Sequence, residues 1–149
     1  MRFHLVDRID TLEPWTRIEA VKRTSSSEKY WATDDSGHQY MPLPIQLEVL
    51  AQSAAWLVYL STDRKHRAVL LSVGAALARS RVGPGDDILA AADIRSAGDT
   101  IVVSGHLRVG DRTVLEVEDL MCALIDADVL EDAASVRDRE EILRSGERS

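Results

Sequence analysis

The stretch Ile45 to Ser61, IQLEVLAQSAAWLVYLS, carries one acidic or basic side chain, Glu48, among apolar and small residues. A carboxylate taken out of water without a partner is costly. Glu48 therefore either moves protons in a site or sits near the first turn of a helix, where it reaches solvent and the helix dipole favours it. Four histidines are present: His4, His38, His66 and His106. His4 and His106 lie in strand-like runs and His66 in a basic loop. None has His, Cys or carboxylate partners at metal-ligand spacing, so packing or surface roles are expected for them and no metal site is. The single cysteine, Cys122 in LMCALI, can form neither an intrachain disulfide nor a thiolate metal site and reads as a small core side chain. From Thr62 to Val82, Arg64, Lys65, Arg67, Arg79 and Arg81 stand against Asp63 alone, a local charge of 5 − 1 = +4. That cluster is either solvated surface or a dock for an acidic partner or a phosphate-bearing ligand.

The segment around Glu48 is rich in helix formers, too long for a typical strand, and preceded by Pro42 and Pro44 as start signals, which predicts the main helix over Ile45 to Ser61. Apolar residues nearly surround it, so it is expected to be wrapped by other structure. Runs at Phe3 to Ile9 and Thr16 to Thr24, parted by Glu13-Pro14, read as an opening strand or short helix followed by a strand. Ser25 to Glu28 reads as a loop. Later β-branched runs at Ala68–Val73, Ile88–Ile94, Thr100–Val109 and Arg112–Ile125 read as strands. Ala97-Gly98-Asp99 and Gly110-Asp111 supply tight turns that make the last three an antiparallel meander. An antiparallel sheet curled round one helix satisfies this order, giving an α+β domain over 1–130. Residues 131–149 read as a charged C-terminal tail or solvated helix, since Asp126 to Ser149 hold eight acidic and four basic residues.

A chain of 149 residues suits one core. With 45% hydrophobic and 29% charged residues, disorder is excluded for most of it. The net charge of −7 opposes binding to nucleic acid. The longest nearly uncharged run, Met41 to Ser61, is interrupted by Gln46, Glu48, Gln52 and Ser53, so membrane insertion is not expected. MRFHLVDRID places charges where a signal peptide needs an apolar run, so the expected location is cytoplasmic.

Three segments in order carry a resemblance. FHLVDRIDTLEPWTRIEAVKRTSSSE, MPLPIQLEVLAQSAA and VGPGD resemble the opening, the Met-Pro-Gly-Val segment with its Glu-Ala-x-Ala-Gln helix, and the Val-x-Pro-Gly-Asp turn of the hotdog-fold 3-hydroxyacyl-[acyl-carrier-protein] dehydratases of bacterial fatty-acid synthesis. The resemblance implies a dimeric hotdog fold and removal of water from a 3-hydroxyacyl thioester. The substrate is carried on the phosphopantetheine of acyl carrier protein, and no further cofactor is implied. In that family a histidine from one subunit takes the C2 proton, and a helix carboxylate from the other protonates the leaving hydroxyl. The carboxylate carries over to Glu48, and Gln52, one turn on and on the same face, matches the family's glutamine.

The histidine does not carry over. Where the family has Gly-His-Phe-Pro, fourteen residues before the helix Glu, this chain has Thr33, Asp34, Asp35 and Ser36, with Asp34 at the histidine position. His38 lies four residues later on a loop that could swing inward. Leu43 and Ala78 also depart from the family pattern, which implies a changed acyl tunnel. Asp34 is either the partner of a facing Glu48, in a pair where one pKa is pushed upward to give one neutral acid and one charged base, or a solvent-facing remnant. Three functions follow: a dehydratase, as a homodimer or as the His-lacking subunit beside a His-containing hotdog partner; a thioesterase in which Glu48 or Asp34 activates water; or a noncatalytic acyl- or partner-binding subunit. The basic residues Arg64, Lys65, Arg67, Arg79 and Arg81 would dock the acidic carrier protein.

Overall fold

The computed structural model describes residues 4–127 and 133–145. Alternating side chains make the sheet: β2 (Arg17–Arg23) turns Ile18 and Ala20 inward, and β7 (Thr100–Val109) turns Ile101, Val103 and Leu107 inward. The other strands of this sheet are β1 (Arg8–Glu13), β5 (His66–Ala78), β6 (Asp87–Ala97) and β8 (Arg112–Asp126). The six strands run in the order β1-β2-β6-β7-β8-β5, each pair antiparallel, with β6, β7 and β8 forming the expected meander. The first two strands pair as a hairpin through a turn at Trp15, whose φ is +61°. Two short strands, β3 (Ala32–Thr33) and β4 (Gln39–Tyr40), pair separately as a small hairpin that the hydrophobic pattern did not signal.

The helix α1 (Leu43–Ser61) lies across the sheet. It begins two residues earlier than expected because Pro42 holds the extended N-cap conformation and Pro44 occupies the first turn, where a missing N–H costs nothing. It ends where Asp63 and Arg64 turn left-handed, at φ +54° and +64°, with the Arg64 amide donating to the Tyr59 carbonyl at 2.9 Å. Gln46, Val49, Leu50, Ser53, Ala54, Leu57 and Val58 form a buried stripe at three- and four-residue spacing. Leu47, Glu48, Ala51, Gln52, Ala55 and Trp56 are only half-buried, so one chain wraps the helix on one side instead of all round. Gly105 on β7 lets the two layers meet: a Cβ there would stand 2.4 Å from the Ala91 carbonyl oxygen and 2.9 Å from Leu50 Cδ1. By length and mean hydropathy α1 also meets the test for a membrane span, a test that the core helix of a domain passes as well. Its buried stripe packs on the sheet.

The C-terminal segment corrects one expectation. Residues 133–145 form α2 (Ala133–Ser145), and it is docked, not solvated, because Val136, Glu140 and Leu143 recur at helical spacing on one face and are all buried. The Arg64 guanidinium pairs with both oxygens of Glu140, and Arg139 Nη2 donates to the Val6 carbonyl at 2.6 Å. Charge composition concealed two apolar anchors and an ion pair whose glutamate is buried. Part of 131–149 lies outside the described residues.

Candidate functional site

Glu48 reaches a cavity of about 310 Å³ between the second face of α1, the start of β5, the N-terminal segment and α2. Its walls include His4, Gln52, Tyr59, Arg67, Cys122 and Arg139. Gln52 Nε2 donates to Glu48 Oε1 at 3.2 Å, and Gln52 Oε1 accepts from the Leu5 amide at 2.8 Å. The glutamine therefore fixes one carboxylate oxygen while tying the N-terminal segment to the helix. Such a carboxylate can donate or accept a proton toward a ligand in the cavity. Burial pushes the Cys122 thiol up to about 11, so it stays protonated in the cavity wall, as its reading as an inert core residue requires.

Asp34 is elsewhere. It opens the turn between β3 and β4, and its Oδ1 accepts from the Ser36 amide (2.9 Å), the Ser36 hydroxyl (2.7 Å) and the His38 amide (3.0 Å). Its Oδ2 accepts from Arg81 Nη1 at 2.7 Å, and the Arg81 guanidinium stacks on Tyr40 with 4.5 Å to the ring centroid. The Ser36 hydroxyl, then Arg81 and the two amides, hold the Asp34 carboxyl well below the usual carboxylate range. A facing pair with Glu48, whose two members the resemblance draws from different subunits, is not formed within the chain, where the Asp34 carboxyl is turned to the hairpin and Arg81 instead. Asp34 is a staple of the hairpin. The sequence Asp34-Asp35-Ser36-Gly37 signals that role, since an Asp followed two residues on by an amide to cap, with Gly37 at φ +88°, forms an Asx-type turn.

His38 is exposed on the same hairpin, its Nδ1 4.0 Å from Asp34, and does not line the cavity. His66 sits at the start of β5 with Nε2 3.7 Å from Asp126. His106 lines a second cavity formed by β5, β6, β7 and β8, where burial and then Arg108 push its pKa down. His4, which the sequence assigned to packing or surface, lines the Glu48 cavity. Among the described residues no cluster of three or more His, Cys, Asp or Glu could hold a metal ion.

The five basic residues do not make one patch in a single chain. Arg67 near the start of β5 and Arg79 just past its end are twelve residue steps apart, about 40 Å at ~3.3 Å per residue. Arg64 pairs with Glu140, Arg79 with Glu116 at 2.9 Å, and Arg81 with Asp34. Arg67 lines the Glu48 cavity, 5.9 Å from the Tyr59 ring centroid, and Lys65 is exposed two residues before it. The Val82–Asp86 turn has the residues of a type II turn, with Pro84 followed by Gly85 at φ +96° and the Asp86 amide donating to Gly83 at 3.2 Å. Thr24 Oγ1 donates to the Asp86 carbonyl at 2.7 Å, so this turn anchors the end of β2 and not the cavity.

No family model matches the chain. The 3-hydroxyacyl-[acyl-carrier-protein] dehydratase FabZ of Ralstonia nicotianae is 32% identical over 125 residues, covering 80% of this chain and 76% of that protein. The proteins of the same description from Verminephrobacter eiseniae and Myxococcus xanthus are 34% and 33% identical, over 82% and 89% of this chain and 84% and 90% of their own lengths. Among solved structures, an uncharacterized Pyrococcus horikoshii protein superposes with a TM-score of 0.65 at 20% identity, covering 85% of this chain and 88% of that one. A hot-dog-like protein of Thermanaerovibrio acidaminovorans gives 0.62 at 19% identity, covering 86% and 93%. A hypothetical thioesterase of Streptococcus pneumoniae, solved with coenzyme A, gives 0.60 at 13% identity, covering 80% and 85%. The fold is therefore the hotdog fold.

Proposed function

Because the chain belongs to the 3-hydroxyacyl-[acyl-carrier-protein] dehydratase family, we propose that it removes water from 3-hydroxyacyl thioesters of acyl carrier protein, in cytoplasmic fatty-acid or polyketide synthesis. The observation that carries this reading is Glu48, a carboxylate on the central helix, facing a cavity and oriented by Gln52. In its acid form Glu48 protonates the C3 hydroxyl as it leaves. The elimination is redox-neutral, so the substrate's own phosphopantetheine is the only prosthetic group the chemistry requires. Asp34, saturated with donors, keeps the hairpin in shape and leaves the C2 proton to an imidazole. In the heterodimer version a His-bearing hotdog partner supplies that imidazole.

The working assembly is a dimer. β5 is one of the sheet's two edges, thirteen residues long against six for β1, with Leu70, Leu71 and Leu77 exposed. An edge so long and apolar invites strand pairing. Pairing β5 antiparallel with its copy would bring the Arg79 and Arg81 end of one chain, with the Asp34 hairpin, to the Lys65 and Arg67 end of the other. That union would gather the basic residues of both ends along one edge for the acidic carrier protein, with Arg79 and Arg81 exchanging their pairs with Glu116 and Asp34 for the carrier's carboxylates.

The thioesterase reading is favoured by one observation, the absence of histidine at the loop position beside a helix carboxylate that could activate water. The likeness to a solved thioesterase supports it less than the curated relatives support dehydration. Intact-mass analysis of 3-hydroxyacyl carrier protein incubated with the chain decides: loss of one water is expected, loss of the acyl group gives hydrolysis, and no change leaves a noncatalytic subunit.

A further inference from the structure

All four histidines are described, and of these only His4 lines the cavity that Glu48 faces. It is placed there by its neighbours. Leu5 and Val6 are buried, the Leu5 amide is held by Gln52 from the α1 side, and the Val6 carbonyl by Arg139 from the α2 side. The backbone beside His4 is thus clamped between both helices, and one of the clamps is the glutamine that also holds Glu48. The charged and titratable groups facing the same space are Glu48, Tyr59, Arg67, Cys122 and Arg139.

Resting on the dehydratase reading, we propose that His4, from the N-terminal segment and not from the loop, is the catalytic base of the Glu48 site. An imidazole has an ordinary pKa of ~6.5 against ~3.9 for aspartate, so toward a weakly acidic C–H it starts ahead by ~2.6 units, while Asp34 is held lower still. The neutral imidazole of His4 takes the C2 proton. The C2–H electron pair becomes the C2–C3 double bond and the C3–O bond breaks. Glu48 gives its proton to the departing oxygen, forming water, and the imidazolium then returns a proton to the Glu48 carboxylate. The products are a 2-enoyl thioester and one water, with no oxidant or metal required. On this account the chain needs no His-bearing partner.

The test uses the purified full chain alone with 3-hydroxybutyryl carrier protein, comparing wild type, His4→Ala and Glu48→Gln. His4→Ala should lower kcat by ~10²–10⁴-fold with KM within a few fold and Tm unchanged, and added imidazole should restore part of the rate. In D2O the wild type should exchange the substrate's C2 hydrogen and His4→Ala should not. His4→Ala as active as wild type, with Glu48→Gln inactive, overturns His4 and leaves the dehydratase reading standing. Loss of activity that imidazole does not restore also overturns it, since a structural residue gives that result. A wild-type chain that turns over only with a second, His-bearing hotdog protein overturns it in favour of the heterodimer. A wild type that eliminates water from no 3-hydroxyacyl carrier protein, alone or with such a partner, overturns both.

Discussion

Asp34 and Glu48 are both half-buried carboxylates, but the hairpin around one and the helix beneath the other leave them different chemistry. Asp34 accepts from four donors, a serine hydroxyl, an arginine and two amides, and its pKa falls. Glu48 faces a cavity with one oxygen steadied by a glutamine amide. Sequence position alone would make Asp34 the heir of a catalytic group. The surrounding donors decide otherwise: a carboxylate already satisfied by fixed hydrogen bonds gains little from taking a proton, whereas one on the wall of a cavity can exchange its proton with a ligand.

The largest expected effect breaks the Glu48 side. Glu48→Gln keeps the shape and the hydrogen bond to Gln52 but removes the transferable proton, and dehydration should fall by ~10²–10⁴-fold with Tm nearly unchanged, as steady-state kinetics beside thermal melts will show. Gly105→Ala attacks the seat of that helix instead. Its new Cβ meets backbone and Leu50, so overpacking of ~1–3 kcal/mol should lower Tm by several degrees at ~2–4 °C per kcal/mol, measurable by calorimetry. On the Asp34 side, Asp34→Asn should act on stability and not on turnover. The folded pKa of Asp34 lies below its unfolded value, so its contribution is complete above about pH 5 and is lost as pH falls below ~3.9. The Tm gap between wild type and Asp34→Asn should therefore be present at pH 7 and shrink in acid; a gap that widens below pH 4 contradicts the assignment. Smallest is Arg81→Gln, which removes one donor from the exposed rim of the hairpin. Its Tm should fall less than that of Asp34→Asn.

Much of the fold was legible because its signals are local. The helix around Glu48, the meander ending in Arg112–Asp126 and the Pro84-Gly85-Asp86 turn all follow from periodicity and turn chemistry within a few residues. What was not legible depends on contacts distant in sequence. Arg81 reaches Asp34 across 47 residues and Arg64 reaches Glu140 across 76, so a run of positive residues read as one patch is in fact divided among separate ion pairs. The docking of α2 rests on two apolar residues inside a charged segment. The Glu48–Gln52 pair was readable from helical spacing, but the place of His4 in the wall of the same cavity depends on the Leu5 amide finding Gln52, 47 residues away.

The central claim is that Glu48 does chemistry and Asp34 does not. Its most direct test is a single intact-mass time course on 3-hydroxyacyl carrier protein with wild type, Glu48→Gln and Asp34→Ala, each shown folded by its melting curve. The account predicts that wild type and Asp34→Ala convert the substrate to the species lighter by one water at rates within a few fold of each other, while Glu48→Gln leaves it unchanged. A folded Asp34→Ala without activity, or Glu48→Gln as fast as wild type, would contradict it.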